Sequence, residues 1–342
     1  MDDRAEADLL ERARTGDDAA FARLVAPYRD ELVAHGYRML GSRQDAEDAL
    51  QEALIGAWRG LAGFAGRSSL RTWLYRILTH ACLRLAERRR RLLSPAYGPP
   101  RRATADLGAP VPGPVWMEPW MDEPVSDEPG PDARYLRREG VELAFVAALQ
   151  HLPAVQRAVL ILREVLEFPA AEVARMLDTT PASVNSALQR ARKAVDERVP
   201  GPSQRVELAA LGDEGRRELV EAFVGAWERA DVAAIAELLA EDVRFTMPPL
   251  PAWFDGREDV VRFFAERVFA TPWRLVPISA NGQPAFACYQ RDPDDGRFRL
   301  GAVNLLAVRA GRIVEIAGFI DPAVGAASGL PAELPGESAA VR

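Results

Sequence analysis

Apolar residues recur at helical spacing through the first half of the chain and alternate with polar ones near its end. Residues 5–35 carry Leu9, Ala13, Phe21, Leu24, Val25, Tyr28 and Leu32 at such spacing, which predicts helix. Residues 42–61 are the most regular amphipath. Ser42 is placed to cap, and Ala46, Ala49, Leu50, Ala53, Leu54, Ala57 and Trp58 form one stripe. The opposite face shows Asp45, Glu47, Asp48, Gln51 and Glu52, which suits either a solvated surface or a dock for a basic partner. After a break at 60–69, a further helix starts at Leu70. It interleaves Trp73 and Tyr75 with Arg71 and Arg76, then runs through His80 and Arg84 into four arginines at 88–91. Aromatic faces beside cations suit unstacked bases, since stacking is sequence-tolerant and worth about 1–3 kcal/mol per base. Trp73 reads equally well as a core side chain, while Arg71 and Arg76 suit phosphate contacts.

The pattern in residues 152–199 predicts a helix-turn-helix. An apolar-periodic helix over 154–165 precedes a short one, 170–177, which Pro169 opens at a first-turn position where its missing N–H is harmless. Asp178-Thr179-Thr180 break the chain, Thr180 offers a capping hydroxyl, and Pro181 starts a longer helix. There Val184, Ala187, Leu188, Ala191 and Val195 share one face. Ala182, Ser186, Gln189, Arg190 and Lys193 lie opposite, with Asn185 and Arg192 on the flanks. Small residues permit approach to the major groove, amides bond base edges, and cations reach phosphates.

Residues 94–134 hold ten of the 26 prolines and little periodicity, which predicts a linker without regular helix or strand. Trp116, Met117, Trp120 and Met121 make it too apolar for a passive tether, so they are expected to dock on a partner or on the chain's own C-terminal part. From about residue 213, helical segments are followed by strand-like runs, with hairpin turns at Asp295-Gly296 and Ala310-Gly311. Helices before antiparallel strands argue an α+β unit.

Composition sharpens this picture in two places. The net charge of −7 sits wholly in residues 207–342, with 14 basic against 21 acidic side chains, so residues 1–206 are neutral. Within the neutral part, residues 67–91 hold eight arginines and one acid, a footprint for phosphate. Cys82 and Cys288 have no partners at metal-ligand spacing and read as buried thiols of a reducing, cytoplasmic setting. No metal or cofactor site is expected. The charged N-terminus and the lack of a long apolar run argue against a signal peptide or a membrane span.

Three stretches together resemble a bacterial extracytoplasmic-function sigma factor: DAEDALQEALIGAWRG at 45–60, F-x-G-x-S-S-L-R-T-W-L-Y-R-I at 64–77, and LPAVQRAVLILREV with AAEVARML and SVNSALQRAR across 152–192. The resemblance implies core RNA polymerase and promoter DNA as partners. It implies sigma region two at 1–93, the linker at 94–134 and region four at 135–200. Asp45, Asp48, Gln51 and Glu52 would then dock on the polymerase. Phe64, Ser68, Ser69, Arg71, Trp73, Tyr75, Arg76 and His80 would meet the −10 element. Thr180, Ala182, Asn185, Ser186, Gln189, Arg190, Arg192 and Lys193 would read the −35 element. In this family the linker threads through polymerase near the RNA exit path. His80 departs from the family's usual asparagine and lacks its bidentate amide, so the usual −10 preference does not carry over.

Residues 207–325, and in particular LLAEDVRFTMPPLPAWFDGREDV at 238–260, are similar to SnoaL-like polyketide cyclase domains of the nuclear-transport-factor-two-like cone fold. The resemblance implies an α+β cone that often houses an apolar pocket, with residues 326–342 as a flexible tail. Phe245, Trp253, Phe254, Phe263 and Phe286 suit either a pocket for a small-molecule ligand or a hydrophobic core. His35, His80 and His151 all precede the domain, leaving Asp242, Asp255 and Tyr289 as acid/base candidates, and no catalytic residue is assigned. Asp242 reads better as a strand-end residue and Asp255-Gly256 as a turn. The expected architecture is therefore two all-α domains plus an α+β cone. The expected function is a sigma factor whose fused C-terminal domain modulates it. A small-molecule isomerase or cyclase with a DNA-binding appendage, and a repressor using the helix-turn-helix alone, are the alternatives.

Overall fold

Residues 5–35 do not form a single helix. After α1 (Asp3–Arg14) the chain turns at Gly16 (φ +96°), and Asp17 restarts it by accepting the Ala20 N–H at 2.9 Å. The resulting α2 (Asp18–Val25) is followed by a 3₁₀ turn through Pro27 and then α3 (Arg29–Leu40). Ser42 caps α4 (Arg43–Gly60) by accepting the Asp45 N–H at 3.3 Å. The α4 stripe is buried from Ala46 to Ala57, with Leu54 and Trp58 half-buried at its margin. Helix α5 (Leu70–Arg88) packs Leu74, Leu78 and Cys82 against this pair.

The computed structural model describes residues 3–88, 96, 98–111, 116–122, 142–199, 201–327 and 329–334. Arginines 89–91, most of the linker between 112 and 134, and residues 335–342 of the expected tail lie outside them. Four helices follow: α6 (Leu143–Gln150), α7 (Ala154–Leu160), α8 (Ala170–Met176) and α9 (Pro181–Asp196). A π turn, Ile161–Val165, extends α7. Pro169 stands at the N-cap of α8, one position earlier than expected, with ψ 145°. Asp178 reverses the chain at φ +50°, and the Thr180 hydroxyl accepts the Ser183 N–H at 3.2 Å to begin α9. Residues 1–91 and 126–200 form one compact unit, and residues 92–125 with 201–342 form a second.

The second unit sets α10 (Gln204–Glu228), α11 (Val232–Leu238) and α12 (Arg257–Glu266) against a six-stranded sheet. Its strands are β1 (Leu239–Thr246), β2 (Trp253–Asp255), β3 (Trp273–Ala280), β4 (Gln283–Arg291), β5 (Phe298–Arg309) and β6 (Arg312–Phe319), in the order β2-β1-β6-β5-β4-β3. The expected antiparallel run is formed by β3, β4, β5 and β6, and β1 joins it by pairing parallel to β6, which makes the sheet mixed. The turns Asn281-Gly282 and Ala310-Gly311 have positive φ at both residues, as tight hairpins require. Register aligns Phe245, Ile316 and Leu306 on the face that meets the helices. There Phe254 stacks on Phe263 at 4.3 Å, Phe223 meets Phe286 at 4.8 Å, and Trp227 meets Phe264 at 5.0 Å. Phe245, Phe254, Phe263 and Phe286 thus belong to the hydrophobic core, packed ring against ring.

The linker residues of this unit lie across it as a strap. Gly98 O accepts the Trp253 indole N–H (3.0 Å), the Arg101 N–H donates to Trp253 O (2.7 Å), and the Val111 N–H donates to Pro249 O (3.0 Å). At the far edge of the sheet the Trp120 N–H donates to Asn281 Oδ1 (2.8 Å) and the Asn281 N–H returns to Trp120 O (2.7 Å). Met121 bridges to Ala280, and Trp116, Met117 and Trp120 are buried. The strap therefore reaches from β2, at one sheet edge, to β3 at the other. After α13 (Pro322–Ala327), part of the expected tail is also packed: Ala332 O accepts the Leu300 N–H at 2.9 Å and Glu333 pairs with Arg299.

Candidate nucleic-acid interface

Helix α9 divides cleanly. Val184, Ala187, Leu188, Ala191 and Val195 are buried, while Ala182, Asn185, Ser186, Gln189, Arg190, Arg192 and Lys193 are exposed along one side. Thr180 is also exposed, its hydroxyl engaged with Ser183 at the cap. Arg192 is held by Glu164 of the π turn at 2.6 Å. The face combines two amides, a hydroxyl and three cations beside small residues, which can meet base edges and phosphates together.

The α4 surface is smaller than expected. Asp48, Gln51 and Glu52 are exposed beside Ile55, and Glu52 accepts from Arg84 at 2.7 Å. Asp45 is only 4% exposed, in the first turn under Ser42, so it belongs to the helix start rather than to the surface. Periodicity assigned it to the polar face; the crossing of α3 over the start of α4 covers that position. Gly36 makes the crossing possible, since a Cβ there would lie 3.0 Å from Ala46 Cβ and 3.1 Å from its Cα.

The candidates on α5 and just before it differ in exposure and partners. Phe64 is buried and packs on half-buried Trp73 at 5.0 Å, with Phe64 O accepting from Arg14. Ser69 caps α5 by accepting the Thr72 N–H at 3.1 Å, and Ser68 is half-buried beside it. Tyr75 is fully buried, edge-on to His35 at 5.2 Å and to Phe168 at 5.3 Å, which corrects its reading as a base platform in this conformation. Arg71 pairs with Glu31 at 2.9 Å and lies over the Tyr75 and Phe168 rings. Arg76 and His80 bond Asp178 and Met176 O. Sequence reasoning missed these partners from the helix-turn-helix, because contacts about a hundred residues apart leave no local periodicity.

In the second unit, Asp242 pairs with Arg309 at 2.6 Å on the surface, which lowers the carboxyl's pKa through that hydrogen bond. Asp255 is exposed on β2, and the Tyr289 hydroxyl donates to Pro331 O at 3.0 Å. Among the described residues no group of three or more His, Cys, Asp or Glu side chains could hold a metal ion, and no helix is long and apolar enough to cross a membrane.

Comparison with known proteins follows the same divisions. The chain matches the Sigma-70 region 2 family over residues 24–92, Sigma-70, region 4 over 142–195, and the SnoaL-like domain over 220–316. It is 41% identical to the ECF RNA polymerase sigma factor SigG of Mycobacterium tuberculosis, over 94% of this chain and 86% of that protein. It is 33% identical to the RNA polymerase sigma-H factor of Pseudomonas aeruginosa, over 55% of this chain and 91% of that one. In fold it is similar to the crystal structure of the M. tuberculosis extracytoplasmic function sigma factor SigJ, with a TM-score of 0.61, 22% identity, and coverage of 89% of this chain and 98% of that one.

Proposed function

Because the chain belongs to the extracytoplasmic-function RNA polymerase sigma factors, we propose that each module of its first unit carries one step of promoter-directed initiation. The exposed α4 surface of Asp48, Gln51 and Glu52, with Ile55 beside it, docks on core RNA polymerase. The α5 side, with Ser68, Ser69, Arg71, Trp73, Arg76 and His80, meets the −10 element. The α9 face from Ala182 to Lys193 reads the −35 element. One observation carries this reading: the α9 face is exposed along its whole length and polar except at Ala182, while its back is wholly apolar and buried.

The second unit acts as an intramolecular modulator rather than an enzyme. Its aromatic interior is packed, and Asp242, Asp255 and Tyr289 are each engaged elsewhere or exposed on a strand. Its hold on the strap supports an inhibitory sign, because any path for the linker through polymerase requires release from Trp253, Pro249 and Asn281.

Transcription in vitro with purified core RNA polymerase on a panel of promoters tests both parts. Full-length chain is compared with a version ending at Val206. Initiation by either form supports the sigma reading, and more product from the shorter form supports inhibition. Absence of core binding by both forms sinks the reading, and less product from the shorter form reverses the sign.

A further inference from the structure

Three α5 side chains that the proposed function turns toward the −10 element, Arg71, Arg76 and His80, have partners on the helix-turn-helix in this structure, as do their neighbours Thr72 and Tyr75. Phe168, just before α8, sits edge-on to the Tyr75 ring at 5.3 Å and under the Arg71 guanidinium at 5.1 Å. The Thr72 hydroxyl donates to Glu172 of α8 at 3.3 Å. Arg76 Nη2 donates to both carboxylate oxygens of Asp178, at 3.0 and 3.3 Å. His80 Nε2 donates to Met176 O at 2.8 Å and lies 3.8 Å from Asp178 Oδ2. Asp178 is the left-handed residue of the turn that leads into α9.

A second, buried set of bonds holds the same modules together. Gln150 Nε2 donates to Arg38 O at 3.2 Å, and buried Arg157 donates to Met39 O and, at 2.6 Å, to Gln150 Oε1. Helix α3 ends with carbonyls that lack intrahelical partners, and α6 and α7 supply those partners. A cation there also complements the negative end of the helix dipole.

We propose that Glu172 and Asp178 are clasp residues: they hold the −10-facing side of α5 shut in the free chain and give way when promoter DNA is engaged. This rests on the assignment of α5 to the −10 element. The two uses exclude one another. Donors of Arg76 and His80 committed to Asp178 and to the Met176 carbonyl cannot simultaneously meet phosphate or base, and Phe168 occupies the ring and guanidinium faces on which a base would stack. The clasp is also weak enough to open. The Arg76–Asp178 pair is about half exposed on the arginine side and about two-thirds on the aspartate side, so it resists opening far less than the buried Arg157 cap does. When the open form is scarce, apparent affinity scales with its population, so loosening the clasp appears directly as tighter engagement.

The test uses the full chain with core RNA polymerase on a promoter that it transcribes. Glu172→Gln and Asp178→Asn remove the two carboxylate charges without touching α5 or the exposed face of α9, and asparagine tolerates the positive φ. Together they are expected to raise open-complex yield at limiting chain by roughly two- to fivefold, the range for exposed ion pairs. In a second variant, Thr72→Cys with Glu172→Cys, the two cysteines are joined by a short bismaleimide and compared with the same variant capped by N-ethylmaleimide. Bridging is expected to abolish promoter melting while core binding persists, whereas the capped protein still melts. Unchanged yield from the charge variants, or melting by the bridged form at the capped rate, overturns the clasp. Failure of the unmodified chain to bind core at all overturns the sigma reading itself, and the clasp with it.

Discussion

His35 shows how strongly burial and neighbouring charge set a residue's chemistry. Its ring is fully buried, with Nε2 2.9 Å from the Thr79 hydroxyl and the Tyr75 ring edge-on. Burial first, then the charges of Arg38 and Arg71, push its pKa down to about 3. The unfolded chain protonates this histidine near pH 6.5, so between roughly pH 6.5 and 3 the unfolded state binds the extra proton. Stability contributed by neutral His35 is therefore complete above about pH 6.5 and falls by up to about 1.4 kcal/mol per pH unit below it. Urea unfolding from pH 7 to 4 is expected to show a shallower decline for His35→Gln than for the parent chain. The same burial pushes the Cys82 thiol up to about 12 and raises Cys288 as well, so alkylation of the native chain at pH 8 should be slow at both. At this scale the sequence made the α9 side chains legible, because a two-sided helix needs only its own period. Asp45 and Tyr75 were not legible, since what covers them comes from α3 and from Phe168.

Among elements, the close crossing of α3 and α4 depends on one missing methyl. Gly36→Ala would force a carbon to within about 3 Å of Ala46 backbone and side chain, where neither can retreat along a flexible chain. Overpacking of this kind destabilises by roughly 1–3 kcal/mol, which thermal unfolding of the first unit would register. Loss of the α9 cap in Thr180→Ala is expected to remove about 1 kcal/mol and to lower −35 affinity, because the start of the reading helix frays. The late strands and the Ala310-Gly311 hairpin between them were readable from strand-like runs and turn residues. The parallel join of β1 to β6 was not, because those strands are about seventy residues apart and nothing local encodes which edge a strand will find. The three-residue β2 was too short for a period, and the Asn281-Gly282 hairpin, a strong local signal, went unread.

For the whole molecule, the decisive arrangement is the proline-rich strap on the second unit. Composition predicted both its irregularity and its need for a dock, but the choice of dock is a matter of shape and could not be read from residues. Asn281→Gly keeps the turn's positive φ while deleting the acceptor of the Trp120 N–H. Limited proteolysis of that variant is expected to cut near Trp120 and Met121 several-fold faster than in the parent chain, and tryptophan emission to shift to the red. Equal rates would show that the strap does not depend on this bond. The bond also has a temporal side. Trp120 and Asn281 are 161 residues apart, and at roughly 5–20 residues per second a ribosome delivers the second on the order of ten seconds after the first. A nascent chain thus completes its promoter-reading helices while the surface that restrains its linker has yet to be translated. If the proposed inhibitory role holds, restraint is the last property the protein acquires, and a chain truncated before the sheet would initiate transcription without it.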